Sequence, residues 1–563
     1  MRLRFHLKVD RVKGRAYGRL VHSLREGGRS RKVTLVQLGP LNDEQIRRVQ
    51  AWLSTDPLLP TQPGGLLNDL SQLRIRQSWL YGREALGHLV WRKLGLHQVV
   101  LEALNGVPGK ARHARWIETM VVNRLAQPTS KYGLLDWLKL SATPLLLGFP
   151  PHGLHENLFY RAMDRLGSRQ DALERRVYDR VVRPMTSEIP VIYHDLTSSY
   201  YEGKGETLVR YGYSRDRVEG CPQVNWGMVV TPEGFPITLQ AYPGNTTDVT
   251  TVVAMRERLQ RVFGLHSGIY VGDRGMLSEE VVRDLSEHGF HWVLAETTSD
   301  VEDVLALVSK RPIVAVSERH EVREGVGKEG RRFVVLFNEE RRKEILEVLE
   351  HRLAQGQTLV EAIRRGWARN PDRSPTAVLK QAVRALAEKG LTDLYDVDVD
   401  LATVQVLLAK MKDKVRRLRR WAGWWVLATS TDLPAEEVAR LYLGLTVIER
   451  DWRELKSVLE VRPLNHRLDR RIRAHLLICE LALLLERFVD TRVKKARLQE
   501  EDRPLTGPRA VARFENVMLG QAELATTGIT RLVVTEPGPQ HLEVLRAVGL
   551  DEARFRQGWE RLD

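Results

Sequence analysis

A chain of 563 residues with 43% hydrophobic side chains exceeds what one core can organise, so three or four domains are expected. The formal charge is +15, from 87 Lys and Arg against 72 Asp and Glu, and the pI is 9.8, which points to a polyanionic partner such as nucleic acid. No apolar run approaches the ~20 residues of a membrane span, and Cys221 and Cys479 are too few for a zinc site or a disulfide framework.

The chain opens on MRLRFHLKVDRVKGR, charged throughout and without a secretory leader, so a cytoplasmic, nucleoid-associated protein is expected. Residues 1–40 alternate apolar and basic side chains in short strand-like runs, with turns expected at Lys13-Gly14 and Gly27-Gly28. Eleven Lys or Arg face two acids in the first 32 residues; such a surface either tracks a phosphate backbone or is a solvated sheet face. Residues 41–185 read mostly as short helices separated by Pro and Gly loops such as Thr61 to Gly65, with Arg74, Arg76, Arg92, Lys93, Arg112, Arg115, Arg124 and Lys131 spread over them. That texture suits a helical DNA-binding region.

From Ile189 the pattern changes to strands, and residues 186–296 read as the first part of a mixed α/β sheet. PVIYHDLTSSYYEG is an apolar run that reaches Asp195, two further strands flank the turn Pro232-Glu233-Gly234, and SGIYVGDRGML is a short strand ending in Asp273. A three-strand meander followed by strand and helix alternation is the order of an RNase H-like core. An α+β insert is expected over residues 297–422, with the core resuming over 423–489 from GWWVLAT and a charged segment over 490–563. Gly325, Gly327 and Gly330 spell G-x-G-x-x-G but lie between charged strands with no helix following, so a hairpin loop is expected there. Asp396, Asp398 and Asp400 alternate on one face of a strand and read as a solvated edge.

The stretch from Asp432 to Val461 reads as one long amphipathic helix, N-capped by Asp432 with Pro434 in its first turn. Val438, Leu441, Leu445, Ile448, Trp452, Leu455 and Leu459 form its buried stripe. At about 100° per residue, Tyr442, Glu449 and Lys456 share one line at the margin of that stripe, about 70° from its centre, where a side chain can point into a cleft.

Asp195 and Asp273 thus end buried strands, and Glu449 lies on the helix after the last strand. Strand ends at one edge of a sheet converge, so the three acids can surround one cleft. Hard oxygen ligands of this kind suit Mg2+ or Mn2+. Two such ions ~3.5 to 4 Å apart can activate a nucleophile and stabilise the leaving oxygen of a phosphodiester.

These motifs resemble the bacterial insertion-sequence DDE transposases, in the branch whose RNase H-like core carries a large insert before the glutamate. HDLTSSYYEG resembles the first-aspartate motif, GYSRDRVEGCPQVNWGMVVTPEGFPITLQAYPGNTTDVTT the stretch after it, and GDRGMLS the second-aspartate motif. Tyr442, Glu449 and Lys456 match the branch's Y-x2-R-x3-E-x6-K signature, and Leu445 departs from it at the arginine position, with Arg450 and Arg453 nearby. The resemblance implies metal ligation by Asp195, Asp273 and Glu449 with two Mg2+ or Mn2+ ions per site. It also implies phosphate contacts by Tyr442 and Lys456. Thr197 faces the same way as Asp195 on an extended chain, and Arg274 adjoins Asp273; both are further candidates for DNA contact. Trp292, Trp421, Trp424 and Trp425 are candidates to stack on a flipped base.

The expected protein is therefore an RNase H-like α/β enzyme with an α+β insertion domain and a mostly helical, basic DNA-binding region. Its expected partners are double-stranded DNA, both terminal inverted repeats and target, and a second copy of itself, with no membrane. The expected activity is cleavage at the element's ends and transfer of the 3′-OH ends to target DNA. A nuclease that cuts without joining and a silent DNA-binding derivative are the competing readings.

Overall fold

All eight residues of Gln223–Val230 are buried, which requires a strand covered on both faces of a sheet. This strand sits in the larger sheet of a computed structural model that describes residues 5–12, 15–26, 29–55, 73–186, 190–203, 205–213, 215, 220–296, 301–308, 313–317, 320–327, 330–370, 372–400, 405–462, 464–524 and 529–557. The expected turns at Lys13-Gly14 and Gly27-Gly28, the Thr61 to Gly65 loop, and Ile189 lie outside the described residues. Two compact units make up the chain: Met1–Leu173 with Glu454–Val461 and Arg473–Asp563, and Glu174–Arg453 with Arg462–Ile472.

In the second unit, strands β1 (Val191–Tyr200), β2 (Gln223–Val230) and β3 (Pro236–Pro243) form an antiparallel meander. The helix Asp248–Phe263 leads to β4 (Gly268–Gly272), parallel to β1, and the helix Glu279–Glu287 leads to β5 (Phe290–Ala295), parallel to β4. The resulting order β3-β2-β1-β4-β5 is the one an RNase H-like core demands.

Strands β6 (Val314–Ser317), β7 (His320–Val326) and β8 (Arg332–Phe337) extend this sheet through β9 (Trp424–Thr429), which runs antiparallel to β5. Part of the interruption between residues 297 and 422 therefore joins the core sheet. The rest is a helical lobe built on the 30-residue helix Glu339–Ala368, with Leu349, Leu353, Leu386, Leu391, Leu394, Tyr395 and Val415 as one of its apolar clusters. Gly325 lies within β7, paired with Phe333, and Gly327 and Gly330 lie in the turn to β8, where the Gly327 N–H donates to the Arg331 carbonyl at 2.9 Å, as a hairpin requires. Asp396 and Asp398 are exposed on the strand Tyr395–Asp400.

The helix expected over residues 432–461 is two helices, Ala435–Leu443 and Thr446–Ser457, and Pro434 rather than Asp432 occupies the N-cap of the first. The break falls at Gly444, where an added Cβ would lie 2.0 Å from the Tyr193 hydroxyl. Tyr193 is on β1, so the core strand occupies the space a side chain would need.

The first unit begins with the antiparallel strands Phe5–Val12, Arg15–Glu26 and Arg29–Leu41, followed by the helix Asp43–Thr55. Helices Gly82–Lys93, Leu96–Ala103, Lys110–Ala126 and Asn157–Gly167 continue it, as the sequence led us to expect. One strand in this region was not expected. Leu73–Leu80 pairs with Met518–Leu524, itself paired with Ile529–Val534, and Arg76 forks onto Glu523 at 2.5 and 3.0 Å. Among the described residues, no helix is long and apolar enough to cross a membrane.

Candidate active site

The parallel pairing of β1 with β4 fixes where two acids stand. Their last paired residues are His194 and Gly272, so Asp195 and Asp273 each come one residue later, side by side at one edge of the sheet. Beyond Gly272 strand β4 stops while β1 continues against β2, which opens β1 on that side from Asp195 onward. Two glycines make the turn after β4 possible. A Cβ on Gly272 would lie 2.9 Å from the Met276 sulfur, and one on Gly275 would lie 2.8 Å from Asp248 Oδ2.

Asp195 is half-buried, and both of its oxygens are engaged. Oδ1 accepts the Leu196 N–H at 2.7 Å, and Oδ2 accepts the Trp452 indole N–H at 2.9 Å. Burial raises its pKa to about 6 and the neighbouring Asp273 adds to the rise, while Leu196, Trp452 and the charge of Arg215 oppose it. Arg215 is held in turn by an ion pair with Asp248, and its backbone N–H donates to Ser198 Oγ at 3.0 Å.

Asp273 is exposed at the start of the short turn Arg274–Met276 and accepts the Tyr442 hydroxyl at 3.2 Å. Burial, followed by Asp273 and Glu449, pushes the Tyr442 phenol far above its ordinary range, so it remains a proton donor. Glu449 is exposed in the first turn of Thr446–Ser457, where the helix dipole favours an acid.

The three acids are thus neighbours in electrostatic terms. Asp273 acts on Asp195, and Asp273 and Glu449 both act on Tyr442. Among the described residues, however, no group of three or more His, Cys, Asp or Glu side chains is close enough to hold a metal ion. The Asp195 and Asp273 pair still fits a hard divalent cation in its donor chemistry. Two carboxylates oppose each other's charge, one of them is partly desolvated, and a cation would relieve both penalties.

The remaining candidates are scattered more widely. Thr197 is 6% exposed within β1, so its hydroxyl is enclosed by the sheet. Trp292, 3% exposed, donates its N–H to Ser286 Oγ at 3.2 Å and is a core residue. Half-buried Trp421, Trp424 and Trp425 line a pocket of about 260 Å3 together with Arg274 and Arg341. Arg450 is half-buried, 3.8 Å from Asp451, and Arg453 is exposed. Lys456 lies seven residues beyond Glu449 on the same helix, and Leu445, at the signature's arginine position, is buried.

Two participants escaped the sequence reading. Trp452 was assigned to the apolar stripe, and it is 6% exposed as expected, but its indole N–H serves Asp195. A buried indole needs an acceptor, which is the signal that was there to be used. Arg215 stands 20 residues past Asp195 and has no local pattern to mark it.

A family described as Transposase DDE domain matches residues 186–485. No curated protein matches the sequence. Among solved structures, the chain is similar to a piggyBac transposase synaptic complex with hairpin DNA determined by cryo-EM, at 9% identity and a TM-score of 0.34, covering 78% of this chain and 82% of that one.

Proposed function

The chain belongs to the transposase DDE domain family, whose members cleave DNA and transfer the cut strands, and from that premise we propose that it moves a bacterial insertion sequence. In this reading it binds the element's terminal inverted repeats, hydrolyses the phosphodiester at each end and joins the freed 3′-OH ends to target DNA. The observation that carries the proposal is the placement of Asp195 and Asp273 one residue past the His194 and Gly272 pair.

Asp195, Asp273 and Glu449 would hold the divalent ions, Mg2+ or Mn2+, that this family generally uses. When bound, such ions lower the pKa of water and stabilise the leaving oxygen. Trp452 holds Asp195 in place and favours its ionised form; Tyr442 fixes Asp273 from the other side. Arg274, Arg450, Arg453 and Lys456 supply positive charge for DNA phosphates. Thr197, buried within β1, would support the strand two residues past Asp195. The pocket of Trp421, Trp424 and Trp425 beside Arg274 offers stacking surfaces for an unpaired base. The basic regions 1–40 and 41–185 would grip the element's ends, and two copies would bring a pair of ends together in the nucleoid.

The test is purified protein with DNA bearing its own element's inverted repeats and either Mg2+ or Mn2+. End cleavage followed by strand-transfer products is the expected result, abolished by Asp195→Ala with DNA binding kept. Cleavage without joining would make the protein a nuclease. Binding with no chemistry in either ion would make it a silent binder.

A further inference from the structure

The first compact unit holds a second basic site, independent of the acids. Helices Lys110–Ala126 and Asn157–Gly167 enclose a pocket of about 520 Å3 whose lining includes Arg112, His113, Trp116, Arg161, Asp164 and Arg165. Arg161 and Arg165, four apart, present two like charges on one helix face, an arrangement that is destabilising in an isolated helix. Among the described residues, none of Arg112, Arg161 and Arg165 forms an ion pair, although Asp164 lies in the same lining. Two ring nitrogens of the lining, His113 Nδ1 and Trp116 Nε1, have no hydrogen-bond partner, and Trp116 is 4% exposed. Burial, Arg165 and Arg112 lower the His113 pKa, so this imidazole stays neutral in a positive field.

We propose that this pocket binds a phosphate group clasped by Arg112, Arg161 and Arg165. The guanidinium fork matches phosphate oxygens, and three such forks without carboxylate partners leave a net positive cavity even with Asp164 present. Gly109 caps the helix Lys110–Ala126 at the rim, where its first-turn N–H groups add partial positive charge. The volume is larger than a phosphate ion needs and leaves room for an attached sugar and base. The same chemistry is offered by a phosphodiester of DNA and by a free nucleotide.

The experiment uses the full chain and the pair Arg161→Gln/Arg165→Gln, with Lys110→Gln/Arg169→Gln as a control that removes two charges outside the pocket. Far-UV circular dichroism first checks that both fold. Inorganic phosphate and thymidine 5′-monophosphate are titrated at constant ionic strength with thermal melting as readout, and a random-sequence duplex is titrated by fluorescence anisotropy across salt concentrations. Loss of duplex affinity in the pocket pair, with a salt slope reduced by about 2, identifies a DNA phosphodiester as the ligand. Unchanged duplex binding with loss of the phosphate and nucleotide response identifies a free phosphate ligand. Equal losses in the pocket and control pairs, or no loss of any of the three in the pocket pair, overturn the proposal.

Discussion

The indole nitrogen of Trp452 donates to Asp195 Oδ2 at 2.9 Å, while the other oxygen of that carboxylate accepts the Leu196 N–H. The two donors oppose the burial that raises this acid to about 6, so Asp195 is ionised near neutrality by a narrow margin. Trp452→Phe keeps the apolar ring and deletes the donor. A hydrogen bond to a charged group contributes about 1.5–3 kcal/mol, or about one to two pK units. The acid limb of the cleavage rate should therefore move up by about one unit, so that the rate falls about twofold at pH 7 and about tenfold at pH 5. A pH-rate profile that coincides with the parent's would show that the contact has no part in the chemistry.

The same carboxylate makes a stability prediction of definite sign. Its folded pKa of about 6 lies above the ordinary 3.8, so the folded state binds the proton more tightly than the unfolded chain does. Stability is unaffected below pH 3.8, falls as pH rises from there to 6, and carries the whole penalty above 6. Asp195→Asn removes that penalty, worth about 1–2 kcal/mol after allowing for the residue's partial exposure. The variant should melt higher than the parent at pH 7 without divalent ions, and at the same temperature near pH 3.5. Added Mg2+ should narrow the gap by stabilising the parent alone; a gap that Mg2+ leaves untouched would separate Asp195 from metal binding.

Asp273 was legible because an apolar run ending in Asp marks a strand end, and β4 does stop at Gly272; Asp195 was read in the same way, but β1 runs on through it to Tyr200, because the continued pairing with β2 leaves no local mark in the sequence. The break at Gly444 was not legible. Leu441, Leu445 and Ile448 keep helical spacing across it, and apolar periodicity records which residues are buried, not whether the backbone between them is continuous. The Tyr193 hydroxyl, which leaves no room for a side chain at that position, lies 251 residues away in sequence. The strand Leu73–Leu80 was hidden for a different reason: residues 74–78 are exposed on both faces, so they show no buried alternation, and the partner strand begins at Met518. Strands β6 to β8 read correctly as strands, but the pairing of β8 with β9 depends on a return of the chain after the helical lobe, which no local pattern encodes.

Gly444→Ala tests whether that break matters. The new Cβ would stand 2.0 Å from the Tyr193 hydroxyl and 2.6 Å from its Cζ, so either the strand or the helix junction must shift. Overpacking of this kind costs about 1–3 kcal/mol. Tyr442 and Glu449 lie on opposite sides of Gly444, so cleavage should fall by more than the loss of folded protein accounts for. Tyr193→Phe in the same chain should recover only part of the stability, because the ring carbon remains in the way. Full cleavage activity in Gly444→Ala, with an unchanged melting temperature, would show that the junction is slack.

In the first unit, Glu118 is fully buried and accepts from His88 at 2.9 Å, with His97 at 3.3 Å and Arg92 at 3.6 Å. Burial pushes its pKa up, but the hydrogen bonds of His88 and His97 and the charges of His88 and Arg92 outweigh it and hold the acid at about 2. Because this folded pKa is below the ordinary 4.5, the stability it contributes is present in full above 4.5 and is lost as pH falls through 2. Glu118→Gln keeps the shape but leaves the Arg92 guanidinium and both imidazoles without their counter-charge. Breaking a buried pair from one side costs about 3 kcal/mol. Urea denaturation of parent and variant should therefore show a wide gap at pH 6 that shrinks through pH 4 and closes near pH 2. A gap of constant size across that range would mean that shape rather than charge holds the cluster together.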